Sequence, residues 1–443
     1  MSERLATKKS CRTACAFTFS WVAAVVVIWL FGAYQLRAEP PQLLGLTVMA
    51  YLACWAPFFV VSRQNKRMQA IRFVVANLSL LLALAVVELA ALTNLVDYRL
   101  VFGNYIYPRD NPTNMLDSEL IHIHPPYLHE KGQLMGGDLA RLARRHDFVV
   151  TTRPYDVRYD RNGFRNDVDY DTANCIVIGD SFVEGGNVSS DELLTHQIAE
   201  ILGISVVNLG QSMYGPQQEL KVFERFGKDL HPNVCVWVFF EGNDLGDVWS
   251  YRGIVRDWPN HTWKGKTFAR NAFVWLSAKL ETFAPRVDKS GLFTSSDGRQ
   301  RLLFGYAGDK LSARDIEALE IATASIADAH ASCVKSDIQL VVVFAPTKFR
   351  VYSDFCSFAE DSPIRDWELN DLPRKLSQSI QGVSSEIGFL DLTTELKQSA
   401  KNGVILYYPD DTHWSPEGHE VAGRTISQFL QANYNGLLNR DLK

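Results

Sequence analysis

The chain has no surplus of positive charge. Its 45 Lys and Arg residues are outnumbered by 50 Asp and Glu, for a net charge of −5. A surface of that balance does not neutralise a phosphate backbone, which disfavours nucleic-acid binding. Cysteine is scarce, with seven in 443 residues. That excludes a disulfide-stapled miniprotein, and none of the seven has zinc or redox spacing. A glycine-rich phosphate loop with its lysine is missing, which argues against nucleotide chemistry. Repeats and low-complexity tracts are also missing, and the composition is neither collagen-like nor that of a disordered chain. Cys175 and Cys235 lie in apolar, strand-like runs and read as buried thiols. Cys333 and Cys356 could pair in an oxidising compartment.

What is present is uneven. A mean hydropathy of −0.08 hides an apolar excess gathered before residue 95. Residues 14–36, 43–61 and 73–93 each approach the ~20 residues that a helix needs to cross hydrocarbon. Three transmembrane helices are therefore expected, in a membrane anchor over 1–95. The first run is too long, and too closely followed by others, for a cleaved signal peptide. Arg4, Lys8, Lys9 and Arg12 precede the first run, and Arg63, Lys66, Arg67 and Arg72 lie in the second loop. Positive-inside bias puts those segments in the cytoplasm and everything after about residue 95 outside. Glu88 falls inside the third run, where an acid is costly. It reads as facing another helix or the headgroups.

Residues 96–150 read as a membrane-proximal connector, with His122, His124 and His129 as packing or surface histidines. From 151 to 432 the pattern is that of an α/β domain. Short apolar runs at 175–179, 204–210, 233–240, 338–346 and 387–392 alternate with helical spacing at 189–202, 217–230, 311–331 and 416–432. Asn162-Gly163 marks a turn. Ser415 is the expected N-cap of the last helix, with Pro416 at its first position. The expected fold is a three-layer, open, largely parallel sheet flanked by helices. Residues 249–310 read as an insertion, either a lid or substrate platform or plain surface packing, in which Trp249, Trp258, Trp263 and Trp275 offer stacking surfaces or fill a core. Residues 433–443 are a C-terminal tail.

Ligands of such sheets meet the carboxyl ends of the strands. Polar motifs stand there: Gly179-Asp180-Ser181, Gly210, and Gly242-Asn243-Asp244, with Asp410-Asp411-Thr412-His413 just before the last helix. The chemistry that suits them is acyl transfer through Ser181. His413 would take its proton, and one aspartate would hold the imidazole tautomer. The Ser181 and Gly210 amides and the Asn243 side chain are the expected oxyanion donors. No metal and no cofactor is needed by this chemistry. Glu184 and Asp247 lie near the motifs, where loop charge is the plainer reading.

Taken together, these motifs resemble the SGNH (GDSL-type) hydrolase and acyltransferase superfamily over about residues 150–432. The carrying blocks are Gly179-Asp180-Ser181-Phe182, Gly210, Gly242-Asn243-Asp244 and Asp411-Thr412-His413-Trp414. Residues 346–352 (PTKFRVY) and the Asp-Thr-His-Trp run are similar to the periplasmic branch that acetylates exopolysaccharides such as alginate. The resemblance implies a nucleophilic Ser181, oxyanion donors at Gly210 and Asn243, and an Asp–His pair. Many members place the acid three residues before histidine, which selects Asp410. The polysaccharide branch places it two before, which selects Asp411, the residue favoured here.

The expected activity is that of a Ser-His-Asp ester hydrolase or O-acetyltransferase, acting on O-acyl groups of a cell-envelope glycan or related ester. Expected partners are the lipid bilayer, a carbohydrate or small acyl-ester substrate, and a membrane protein that donates acyl groups. The expected location is a bacterial inner membrane with the catalytic domain periplasmic. The alternative is a non-catalytic glycan-binding or scaffold component of an envelope assembly.

Overall fold

The computed structural model describes residues 66–103, 114–139, 152–257, 265–281, 288–306, 308–438 and 440. Apolar runs 14–36 and 43–61 lie outside the described residues. The third run lies in the helix Lys66–Leu92. Among the described residues its Phe73–Leu92 portion is the one stretch long and apolar enough to cross a membrane.

The chain divides into two compact units, Met1–Tyr105 with Pro259–Pro285, and Ile106–Trp258 with Arg286–Lys443. Residues 249–310 are shared between them. The helix Asp244–Asp257 runs on from the sheet, and Phe268–Glu281 packs with the first unit. The hairpin Ser290–Ser295/Gly298–Leu303 pairs with Cys356–Phe358.

In the second unit, five strands form the central sheet: β1 (Cys175–Gly179), β2 (Val206–Gly210), β3 (Val234–Phe240), β4 (Gln339–Ala345) and β5 (Gly388–Asp391). Their spatial order is β2-β1-β3-β4-β5, and every pairing is parallel. All residues of β1, β2 and β3 are buried, which explains why they read as apolar runs broken only by Asn208. The period of two divides their side chains between two cores. Val177, Val236, Val238, Val341 and Val343 face one core, closed by the helices Leu194–Leu202 and Pro416–Leu438. Ile176, Ile178, Trp237, Phe239, Val342 and Phe344 face the other, closed by Pro216–Val222, Ala313–Lys335 and Leu372–Val383. The chain leaves β1 toward β2 and returns on the far side to β3. The topological switch point therefore lies between β1 and β3, where the loops diverge and leave room for a ligand.

The last helix is longer than its apolar spacing suggested. It runs to Leu438, with Tyr434 departing from helical geometry at φ −136°. Ser415 caps it, its Oγ accepting the Gly418 N–H at 3.3 Å. Cys175 and Cys235 are buried, as their strands require. Cys333 and Cys356 are free thiols. Cys333 belongs to one core and Cys356 packs against the other, so the sheet separates them.

Candidate active site

Ser181 follows β1 directly, as the first residue of the short helix Ser181–Glu184. Asp180 shapes this corner: its Oδ1 accepts the Phe182 N–H at 2.9 Å. Gly179 is required sterically, because a Cβ there would meet Val183 Cγ2 at 2.6 Å. Gly185, at φ +62°, ends the helix. Phe182 stacks on Phe240 and sits edge-on to Trp414, giving the corner an apolar backing.

The histidine arrives from the loop before the last helix. His413 Nε2 lies 2.8 Å from Ser181 Oγ, and its Nδ1 lies 2.6 Å from Asp411 Oδ1. Asp411 is therefore the acid that contacts the histidine. The other carboxylate oxygen, Oδ2, accepts from Arg153 Nη2 and Asn187 Nδ2, both at 3.0 Å. Arg153 in turn lies over the Tyr408 ring. Asp410 is turned away: its Oδ2 accepts the Gly137 N–H at 3.1 Å, and its carbonyl accepts from Leu139 N. Asp138 holds the intervening residue, taking the Thr412 N–H at 2.9 Å and the Thr412 hydroxyl at 2.6 Å. Oxygens of Asp138 and Asp411 and a ring nitrogen of His413 lie within 4.8 Å of one another, the one such cluster among the described residues able to approach a cation.

Beneath the loop, buried Lys348 donates to the carbonyls of Leu303 at 3.0 Å and Tyr408 at 2.6 Å. Two positions on, Arg350 pairs with Glu241, which also accepts from Thr347. The 346–352 segment thus braces both the histidine loop and the turn that carries Asn243.

Gly210 does not fit the donor role expected of it. Its N–H already donates to Asn208 Oδ1 at 2.9 Å. The glycine is needed for packing instead: a Cβ would lie 2.4 Å from Glu184 N and 2.6 Å from Val183 Cβ. The loop beyond is pinned by Glu184, whose Oε2 accepts the Ser212 N–H at 2.5 Å. Glu184 Oε1 is held by the Tyr159 hydroxyl at 2.8 Å and His124 Nε2 at 3.1 Å. His122 Nε2 bonds the Ser212 carbonyl at 3.0 Å. The next residue, Met213, has a left-handed backbone at φ +64° and an exposed side chain. Asn243 stands after β3, its Nδ2 donating to Asp247 Oδ2 at 2.8 Å.

Electrostatics follow from these contacts. Burial opposes the imidazolium of His413, but the charge and hydrogen bond of Asp411, with Asp138 and Asp180 behind, lift it to about 9. A side chain 24% exposed keeps contact with water, which moderates the effect of burial. Burial would raise Asp411, yet the His413 charge and hydrogen bond, with Arg153 beyond, hold it well below the usual carboxylate range. Glu184 is likewise held low against burial, chiefly by His124. Burial and then the Asp180 charge push Asp247 up to about 8. Burial brings His122 down to about 4, so it is neutral at physiological pH.

Residues 296–442 match the family model described as SGNH hydrolase-like domain, acetyltransferase AlgX. That part of the chain is therefore similar to an SGNH hydrolase-like domain. The match takes in Lys348 and the histidine block, whereas Ser181, Gly210 and Asn243 precede it. No curated protein matches the chain. Similar solved structures include an acetyl xylan esterase from Butyrivibrio proteoclasticus, at 11% identity and TM-score 0.32, covering 63% of this chain and 68% of that one. A GDSL-like lipase from Bacteroides thetaiotaomicron stands at 14% identity and TM-score 0.30, covering 58% and 87%. A catalytic mutant of an acetylxylan esterase from Geobacillus stearothermophilus stands at 13% and 0.32, covering 62% and 97%. Overlaps of that depth assign no activity, so the functional reading rests on the site's own geometry.

Sequence reading missed Asp138, Arg153 and Asn187. Arg153 and Asp138 lie more than 250 residues from their partners, a separation that no local sequence pattern spans. Lys348 was visible only as part of a familiar run.

Proposed function

We propose that the protein is a membrane-anchored, SGNH-type acyl-serine enzyme that removes or transfers O-acyl groups, acetyl foremost, on a cell-envelope glycan. The observation that carries this reading is the unbroken line from Asp411 through His413 to Ser181 Oγ, with contacts of 2.6 and 2.8 Å. Neutral His413 carries its proton on Nδ1, toward Asp411, so Nε2 accepts the Ser181 hydroxyl proton as Oγ attacks the acyl carbon. The tetrahedral oxyanion is met by the Ser181 N–H, the Asn243 Nδ2 and, in place of Gly210, the Met213 N–H. Imidazolium His413 then protonates the departing alkoxide, leaving acyl-Ser181. A second acceptor, water or a sugar hydroxyl, gives its proton to His413 and takes the acyl group. The matched family is described as an acetyltransferase, which favours the sugar hydroxyl.

The apolar helix Phe73–Leu92 supports an anchor, with 14–36 and 43–61 as two further spans and the hydrolase domain outside the cytoplasm. A transferase so placed would draw acyl groups from a membrane partner that carries them across. The test is acetate release from an activated acetyl ester by the full chain, beside Ser181→Ala. Release that vanishes in the variant supports acyl-serine chemistry. Equal release from both chains refutes it, and no release from either favours a carrier-dependent transferase or a non-catalytic scaffold.

A further inference from the structure

Residues 265–281 stand apart from the rest of the long segment between β3 and β4. The chain leaves the hydrolase unit before them and rejoins it after, yet they fold with the N-terminal unit. Helix Phe268–Glu281 packs against Lys66–Leu92 and against the short helix Tyr98–Phe102. Glu88 makes the junction. Its carboxylate accepts the N–H of Phe268 at 3.0 Å and of Ala269 at 2.7 Å, two of the four amides that a helix leaves open at its start. Lys266 Nζ donates to Asn94 Oδ1 at 3.1 Å. The Phe268 ring lies 5.2 Å from Tyr98 and 5.6 Å from Phe102, and Trp275 lies 6.1 Å from Phe102. An acid inside an apolar run thus has a structural purpose: it caps a second helix.

The outer surface of that second helix is the telling feature. Phe273, Val274, Trp275 and Leu276 are exposed at 49, 43, 42 and 41%. Consecutive helical residues point about 100° apart, so four in a row cover most of the circumference. Arg270, Asn271, Ser277, Lys279 and Glu281 interrupt the helix, but these four exposed apolar side chains lie together in its middle turn and call for apolar surroundings there. Leu95, Leu100 and Val101 extend the same exposed surface. In the packed helix Phe73–Leu92, Leu78, Leu82 and Val86 are exposed as well. Tyr98 and Trp275 are the amphipathic aromatics that favour the membrane–water boundary. Fourteen residues extend about 21 Å, short of the ~30 Å of hydrocarbon, so the helix is too short to cross a bilayer.

We propose that residues 265–281 are a second membrane-seated element, a half-span lodged in lipid beside the Leu92 end of Phe73–Leu92. It rests on the reading of Phe73–Leu92 as an anchor. Because both ends of the half-span continue into the hydrolase unit, that unit is tethered to the bilayer independently of the connector.

The test uses the full chain in phosphatidylcholine–phosphatidylglycerol vesicles, with a specific protease site inserted between residues 104 and 113. After cleavage and flotation, both fragments are expected to float with the vesicles. In Phe273→Glu/Trp275→Glu the uncut chain still floats, but the cleaved C-terminal fragment does not. A wild-type C-terminal fragment left at the bottom while the N-terminal fragment floats overturns the inference and leaves the anchor standing. An uncut chain that fails to float refutes the anchor itself. A fluorophore on Phe273→Cys, with other accessible thiols replaced by serine, separates lipid from protein contact. Brominated lipid is expected to quench it, and retention without quenching overturns the lipid-seated reading.

Discussion

Replacing Asp411 by Asn keeps the shape of the site and removes one charge. Asp411 Oδ1 faces His413 Nδ1 at 2.6 Å, while Oδ2 faces Arg153 and Asn187. An amide has one acceptor oxygen for donors on both sides. If that oxygen satisfies Arg153, the NH2 meets His413 Nδ1 and drives the imidazole to carry its proton on Nε2. A ring in that tautomer cannot accept from Ser181. Losing the charge also strips the imidazolium of a partner worth ~4 kcal/mol at about 4 Å and an effective dielectric of about 20. At 1.36 kcal/mol per tenfold that is about three powers of ten, and the wrong tautomer extends it toward ~10⁴ in kcat. The assay is kcat/KM on an activated acetyl ester, with thermal unfolding measured alongside because Arg153 loses a charged neighbour. Asp410→Asn is the control, and it keeps activity within about tenfold because Asp410 bonds to Gly137 rather than to the histidine. Retention of near-full activity by Asp411→Asn, with collapse in Asp410→Asn, would falsify the assignment.

Other consequences follow from the same contacts. With His413 lifted to about 9, the neutral imidazole is the minor form at neutral pH. So kcat/KM should climb about tenfold per pH unit and level off on the alkaline side, whereas a plateau from weakly acidic pH upward contradicts the raised value. In Asp411→Asn the residual activity should show this limb displaced to lower pH, since the main raising charge is gone. Glu184→Gln cannot accept from Ser212, Tyr159 and His124 together, because one oxygen becomes an NH2. Released, the 212–213 amides should cost ~10²-fold in kcat with little change in KM, and a variant altered only in KM counts against the positioning role. Lys348→Met strips the Leu303 and Tyr408 carbonyls of a buried donor. Chemical unfolding should register a loss of ~1–3 kcal/mol per stranded group, together with slower turnover, and unchanged stability contradicts the bracing role.

The central strands were legible because burial on both faces leaves mostly Val, Ile, Leu and Phe along their length, and the half-buried edge strand Gly388–Asp391 was the weakest signal. The polar blocks that meet at the candidate site were legible as a group because a parallel sheet brings strand ends to one edge. Gly210 misled for a physical reason. A glycine at a strand end fits equally well a close approach by substrate or by a neighbouring helix, and only the Asn208 and Glu184 contacts distinguish the two. Met213 gave no signal, since a left-handed backbone is ordinarily marked by glycine or asparagine. Asp410 and Asp411 are adjacent and chemically identical, so their roles depend on which way the loop turns. That turn is fixed by Gly137, Leu139 and Asp138, far away in sequence. Glu88 looked like a liability in an apolar run until the helix it caps, 180 residues later, came into view.

The central claim is that Ser181 is an activated nucleophile. Treating the full chain with a serine-directed fluorophosphonate and mapping the adduct by peptide mass spectrometry tests it most directly. The account predicts a single adduct on the peptide bearing Ser181, absent in Ser181→Ala and strongly slowed in His413→Ala. An unlabelled chain, or labelling that persists in Ser181→Ala, contradicts it.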